Sequence, residues 1–277
     1  MYLFQNRLVP KSQVAVSPDD RGYYFGDGIY EVFRVYAGVL YEPEAHLERL
    51  ERTAREVRLP LPCPSAELAA RLEELIAANG LKEGTVYMQI TRGPAPRSHA
   101  FPAHAEPVLM AYCTVLERPA GMMRDGIAAV TMDDIRWLRC DLKTLNLLPN
   151  TMAKQYALDR GVSDVILHRS GTVTECSASN VMMVKDGVIR THPANHLILH
   201  GVTRKVVLRL AREADIPVRE TAFTVDELRD ADEVFITGTT VEVTPVISVD
   251  GQPVASGRPG PVTRALQQAF ERTIPGL

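Results

Sequence analysis

A chain of 277 residues with a net charge of −3 and 23% charged side chains carries no basic excess that would draw it to nucleic acid or an anionic membrane. No apolar run reaches the roughly 20 residues of a spanning helix, and the length exceeds what one core usually serves, so two domains are expected. Cys63, Cys113, Cys140 and Cys176 form no C-x-x-C pair, which predicts a reduced protein. The first residues lack a basic, then apolar, then small-residue leader pattern, so a cytoplasmic location is expected.

In chain order, residues 2–16 read as a strand pair turning at Pro10–Lys11. Residues 21–28, Arg-Gly-Tyr-Tyr-Phe-Gly-Asp-Gly, hold a G-x-G at Gly26 and Gly28. A third glycine and a following helix are lacking, so a dinucleotide site is rejected and a turn is expected; residues 29–36 alternate like a strand. Residues 43–57 set Leu47, Leu50, Ala54 and Val57 at helical spacing. Arg49 and Arg52 share one side of that helix, for which a solvated face is the commoner explanation. A second helix runs from an N-cap at Ser65 to Gly80.

Strand 85–92 enters the loop Gly93-Pro-Ala-Pro-Arg-Ser-His-Ala-Phe-Pro102, stiffened by three prolines. Arg97 and His99 fall on one side of such an extended segment. An arginine and a histidine projected together can hold a carboxylate, although ordinary surface polarity explains most such pairs. Residues 107–117 form another strand. Residues 119–126, with Pro119, Gly121 and Gly126, lose both periods and read as the connection between an N-terminal domain, 1–118, and a C-terminal domain, 127–277.

The second domain opens with strand 127–132 and reaches Lys143, flanked by Leu142, Leu145, Leu147 and Leu148. Desolvation disfavours the ammonium form of a lysine, and a neutral amine traps carbonyl compounds as Schiff bases. Taken alone, Lys143 is more often a side chain that snorkels to water. A helix at 150–160, strands at 164–168, 172–175, 180–185 and 188–191, and a helix from 203 to 214 follow. Gly201-Val-Thr-Arg at that helix start can meet an anion with backbone N–H groups, as can Gly238-Thr-Thr after strand 233–237. A short helix lies near 225–230, strand 246–249 precedes the turn Asp250-Gly251, and a final helix spans 261–272. His192 and His196 are four apart, but Pro193 disfavours the helix that would align them as metal ligands, so no metal site is expected.

Pyridoxal phosphate chemistry requires a lysine for the aldehyde, an acid for the ring nitrogen and a phosphate cup. Lys143, Glu175 and the two glycine-threonine segments supply these types. A buried Glu175 would need a cationic partner, either a pyridinium or an arginine elsewhere.

At this point the chain resembles, over essentially its whole length, the branched-chain and D-amino-acid aminotransferase family, the fold-type IV pyridoxal-phosphate enzymes. The resemblance is carried by Tyr-Phe-Gly-Asp-Gly at 24–28, His-Leu-Glu-Arg-Leu at 46–50, Lys-Thr-Leu-Asn at 143–146, Thr-Glu-Cys-Ser-Ala-Ser-Asn at 174–180, Gly-Val-Thr-Arg at 201–204 and Glu-Val-Thr-Pro-Val at 242–246. It implies an α+β fold with a smaller N-terminal α/β domain and a larger C-terminal domain built on a pseudo-barrel of strands. It implies that Lys143 binds pyridoxal 5'-phosphate and shuttles the substrate proton, and that Glu175 pairs with the pyridine nitrogen. Arg49, Val202, Thr203 and Thr239 would hold the phosphate, Arg136 would approach the ring hydroxyl, and Leu199 would pack near the ring.

Arg97-Ser-His99 makes the chain most like the D-specific members, in which this pair, with a tyrosine matching Tyr30, traps the substrate carboxylate across a homodimer interface. The implied reaction is transamination between a D-amino acid (D-alanine, D-glutamate or D-aspartate) and a 2-oxo acid such as 2-oxoglutarate or pyruvate. Branched-chain L-amino-acid transaminase, (R)-amine transaminase and aminodeoxychorismate lyase could use the same Lys143 and Glu175; a non-catalytic binding module would be expected to lose one of them. Two departures stand out: His200 where some relatives have asparagine, and Gly238 where some have serine.

Overall fold

The first hairpin turns at Gln5–Asn6, both at positive φ, between β1 (Tyr2–Phe4) and β2 (Arg7–Val9). The turn expected at Pro10–Lys11 is instead a single 3-10 turn beyond the hairpin, because two consecutive left-handed residues match the twist of a tight hairpin. The computed structural model describes residues 1–277 and divides into two units: Met1–Glu117 with Leu142–Leu147 and Gly276, and Arg118–Asp141 with Leu148–Pro275 and Leu277.

The first unit is an antiparallel sheet. Besides β1 and β2 it contains β3 (Gly28–Tyr36), β4 (Val39–Leu40), β5 (Gly84–Thr91) and β6 (Val108–Val115), in the order β2-β1-β6-β5-β3-β4. Residues 21–25, expected as a turn, form the short helix α1 (Arg21–Phe25). Asp20 caps it, and Gly26 ends it in the left-handed region. Two longer helices, α2 (Pro43–Glu56) and α3 (Ser65–Asn79), cover one sheet face. Ile29, Phe33, Val35, Val86, Met88, Ile90, Leu109 and Ala111 meet Leu47, Leu50, Leu68, Leu72 and Leu75 there in one core. The period of two in β3 places Glu31 on this same apolar side. The cap of α3 is Pro64, without a side-chain bond, rather than Ser65.

The second unit begins with α4 (Ala120–Asp125), a short helix inside the stretch read as a connection. Its mixed sheet comprises β7 (Ile127–Asp133), β8 (Asp164–Arg169), β9 (Thr172–Cys176), β10 (Asn180–Lys185), β11 (Val188–Thr191), β12 (Val218–Arg219), β13 (Glu233–Gly238), β14 (Glu242–Val249) and β15 (Gln252–Pro253). The order is β12-β11-β10-β13-β14-β7-β8-β9, with β15 on β14. Strand β14 starts four residues before the sequence suggested and runs through Pro245. Pairing with β7 begins only at Val246, so the missing N–H of Pro245 costs no ladder bond on that edge. Four helices complete the unit: α5 (Leu148–Leu158), α6 (Val202–Glu213), α7 (Val225–Arg229) and α8 (Pro261–Glu271). Helix α5 packs Ala153 and Ala157 on Val165 and Leu167, while Ile166, Val181, Val234, Ile236 and Phe223 belong to the larger core. No helix is long and apolar enough to cross a membrane.

Candidate active site

Lys143 is fixed by its backbone. Its carbonyl accepts the Tyr30 N–H at 3.1 Å, and Leu145 N–H donates to the Gly28 carbonyl at 3.0 Å, so residues 143–145 lie along the start of β3. The side chain is half-buried, with Nζ 4.1 Å from the centre of the Tyr30 ring. An ammonium over an aromatic face is stabilised by the ring quadrupole. Of the leucines flanking Lys143 in sequence, Leu142 is buried, Leu145 and Leu147 are half-buried and Leu148 is 71% exposed; the ring beside Nζ is that of Tyr30.

Tyr30 in turn stacks on Tyr87 (centroids 5.8 Å apart), and the row continues through Tyr112 to Tyr2. These tyrosines stand on the sheet face opposite the α2–α3 core, because alternate residues of a strand point to opposite faces.

Beneath Tyr30, Glu31 is fully buried. It accepts Nε and Nη2 of Arg49 at 2.8 and 2.7 Å and Nδ1 of His46 at 2.8 Å. Arg49 therefore does not lie on a solvated helix face: it is 7% exposed and held in a two-point ion pair. Burial raises the Glu31 carboxyl, but the Arg49 charge and hydrogen bonds, aided by His46, overcome it and hold the group at about 2. Burial pushes the His46 imidazole down, and the Arg49 and Lys143 charges add to that effect.

Arg97 and His99 are exposed and do share a side. Arg97 lies over the Phe25 ring at 5.2 Å, and His99 meets the same ring edge-on at 5.5 Å.

In the second unit, Glu175 is 4% exposed on β9. One oxygen accepts Arg136 Nη1 at 2.6 Å, the other accepts Asn180 Nδ2 at 2.8 Å, and the Leu199 N–H is shared between them at 3.1 and 3.0 Å. Leu199 thus acts here through its backbone. Burial pushes Glu175 up to about 7 against the pull of Arg136. Arg136 also binds Asp134 at two points, both 2.9 Å, and Asp134 takes further bonds from Thr174 and Arg169. Of the two partners weighed for Glu175, the structure contains the arginine, and it is Arg136.

Val202 and Thr203 form the first turn of α6. Gly201 caps it in an extended conformation without a side-chain bond, so no side chain has claimed the helix-start N–H groups. Thr239 is half-buried in the turn after β13. At Gly238 a Cβ would come 3.2 Å from Val241 and 3.4 Å from Ser179, so a serine there would need a small shift. His200 Nε2 lies 3.2 Å from the Asn195 carbonyl.

The family model for amino-transferase class IV matches residues 28–249. The chain belongs to this family. It is 49% identical over 268 residues to the D-alanine aminotransferase of Staphylococcus aureus strain MSSA476, covering 96% of this chain and 95% of that one. The branched-chain amino acid aminotransferase of Escherichia coli superposes with a TM-score of 0.94 at 28% identity, covering 99% of this chain and 94% of the other. The branched-chain aminotransferase of the thermophilic archaeon Thermoproteus uzoniensis, solved with norvaline, superposes with a TM-score of 0.88 at 27% identity, over 98% and 93%. The α+β, fold-type IV class expected from the resemblance is therefore the fold of this chain.

The partners of the predicted groups in this amino-transferase were not read along the chain. Glu31 is the one a sequence signal could have found, because a glutamate at an inward position of a strand implies a buried partner. Asp134 and Asn180 carry no such local signal.

Proposed function

We propose that this chain transaminates D-amino acids with 2-oxo acids, D-alanine among the donors, using pyridoxal 5'-phosphate. The whole-length likeness to the Staphylococcus aureus D-alanine aminotransferase carries this reading. Two features of the structure fit the cofactor. The uncapped start of α6 offers backbone donors and the Thr203 hydroxyl to a phosphate. Glu175 is a carboxylate, 4% exposed, whose charge burial disfavours, and a protonated ring nitrogen would be a further cationic partner for it.

When bound, pyridoxal phosphate supplies an aldehyde that takes up amino groups and a ring that withdraws electrons from the substrate carbon. Lys143 is the group assigned to that aldehyde. Its Nζ would be the base that takes the proton from the substrate Cα and the acid that gives it back. Tyr30 sets where Nζ stands before this, through the ring contact and the Tyr30 N–H bond to the Lys143 carbonyl. Glu175 would pair with the ring nitrogen and hold its proton, Arg136 would serve the ring hydroxyl, and Leu199 would pack near the ring. Arg49, the Val202 backbone, Thr203 and Thr239 would hold the phosphate. Glu31 and His46 keep the Arg49 guanidinium in one orientation. Arg97 and His99, with Tyr30, hold the substrate carboxylate. Fixing the carboxylate fixes which Cα substituent faces Lys143, and this selects one enantiomer. The assembly is a homodimer in which the 97–99 loop serves the neighbouring subunit's site, and the protein is cytoplasmic.

The test is a half-reaction. The yellow aldehyde form is mixed separately with D-alanine, L-leucine and (R)-1-phenylethylamine, and loss of its absorbance is followed. Rapid loss with D-alanine alone supports the reading; loss with L-leucine or the amine instead would replace the substrate assignment.

A further inference from the structure

The loop between β5 and β6 presents Arg97 and His99, and a buried charge cluster grips it from below. Arg21, 3% exposed, donates from Nη1 to the Ser98 carbonyl at 2.6 Å and from Nε to Asp27 Oδ2 at 2.7 Å. The same Asp27 oxygen accepts Nε of Arg92 at 2.8 Å. Arg92, 2% exposed, continues to the carbonyls of Arg58 and Val57 at 2.7 and 3.0 Å and lies 3.8 Å over the Phe101 ring. Phe25 receives Arg21 at 4.9 Å, Arg97 at 5.2 Å and the His99 ring at 5.5 Å. Residues 97, 98, 99 and 101 are thus each tied to side chains that meet Asp27 or lie on α1.

Backbone bonds stitch the loop base to the same segment: Arg21 N–H to Gly93 O at 3.0 Å, Arg92 N–H to Asp27 O at 3.0 Å, and Ala95 N–H to Asp19 O at 3.1 Å. Two buried guanidiniums share the Asp27 carboxylate, and the buried Asp20 carboxylate, which caps α1 and accepts the Thr91 hydroxyl, lies beside them in the chain, so the loop base is fixed by charged groups with little freedom to move.

We infer that Arg21, Asp27 and Arg92 form the positioning device of the carboxylate-holding loop, with Phe25 as the platform on which Arg97 and His99 are set. Arg21 acts through the Ser98 carbonyl, the peptide between the two gripping side chains, and does not touch the substrate. The inference rests on the reading that Arg97 and His99 hold the substrate carboxylate.

The experiment compares Arg21→Met, Arg97→Ala and the double variant as holoenzymes. KM for D-alanine, kcat, the inhibition constant of propionate and amide hydrogen exchange of residues 93–107 are measured. Arg21→Met leaves the Asp27–Arg92 pair in place. It should raise KM and the propionate constant together by roughly tenfold, the size of a lost hydrogen bond to a charged group, with kcat within about twofold. Exchange in the loop should quicken, and Arg21→Lys, which keeps the charge and one of the two contacts, should recover part of the loss.

In the Arg97→Ala background, Arg21→Met should add little, because one residue acts through the other. Unchanged KM in a folded Arg21→Met enzyme, a fall in kcat with KM constant, or full additivity in the double variant each overturn the inference. If Arg97→Ala alone leaves KM and propionate binding unchanged, the carboxylate reading falls and the inference with it, a signature distinct from the others. Should Arg21→Met not fold, Phe25→Leu reads the same split between KM and kcat.

Discussion

Glu31 on β3 and Arg49 on α2 form a buried ion pair joined at two points, Nε–Oε1 at 2.8 Å and Nη2–Oε2 at 2.7 Å. It locks the first long helix to β3, the strand that carries Tyr30. The Glu31 carboxyl is held at about 2, below its ordinary value of 4.5. A depressed carboxylate stabilises the fold at pH above its unfolded value and loses that contribution as pH falls through the folded one. His46, pushed below 6.5, works in the same direction, because the fold resists its protonation. Acid titration of the unfolding free energy should therefore show a loss of about 3 kcal/mol from Glu31 as pH falls from about 4.5 toward 2. Glu31→Gln should be less stable at neutral pH and should lack that part of the slope; an unchanged slope would refute the pairing energetics.

Lys143→Ala should abolish steady-state transamination of every donor, since the amine that stands over Tyr30 is lost. Steady-state kinetics with D-alanine and 2-oxoglutarate check this, and near-normal turnover would remove Lys143 from the chemistry.

Glu175→Gln should bind pyridoxal phosphate yet slow turnover by about a hundredfold or more, the usual size for losing a preorganised charge partner. The variant keeps the shape that Arg136, Asn180 and Leu199 N–H surround. Cofactor titration by absorbance alongside kcat separates binding from chemistry, and equal kcat in both proteins would argue against the ring-nitrogen role.

Thr237 sits on β13 across from Asn180, and its Oγ1 is buried without a hydrogen-bond partner. Replacing an unsatisfied buried hydroxyl by a methyl of the same shape is neutral or stabilising. Thr237→Val should leave the melting temperature unchanged or higher; a clear drop would reveal a partner, such as an ordered water, for that oxygen.

Gly93, at φ +88, packs so closely on the Glu106 carbonyl that a Cβ would overlap it. The contact closes the neck of the 97–99 loop. Gly93→Ala should cost roughly 1–3 kcal/mol in local strain and raise KM for D-alanine more than it lowers kcat. Urea unfolding and KM measured together check both parts.

Much of the local structure, and the chemical kinds at the site, were legible along the chain. Alternation marked β3 and β5, and helical spacing marked α2 with Leu47 and Leu50 inward. Lys143, Glu175 and the Gly201–Thr203 helix start stood out because each rests on a short run of neighbours. The short elements escaped: α1, α4, β12 and β15 have too few residues to show a period, and their ends are set by contacts such as Asp20 capping α1. The partners were settled by the fold alone. The strand period could say that Glu31 points inward, but not that α2 would bring Arg49 and His46 to meet it. Flanking leucines suggested an apolar setting for Lys143, but not that the Tyr30 ring, from β3 far earlier in the chain, would stand beside its Nζ. The physical reason is common to these cases. Periodicity reports which side of an element is buried, whereas the charge and ring pairing of a buried polar group depends on which distant element the fold packs against it.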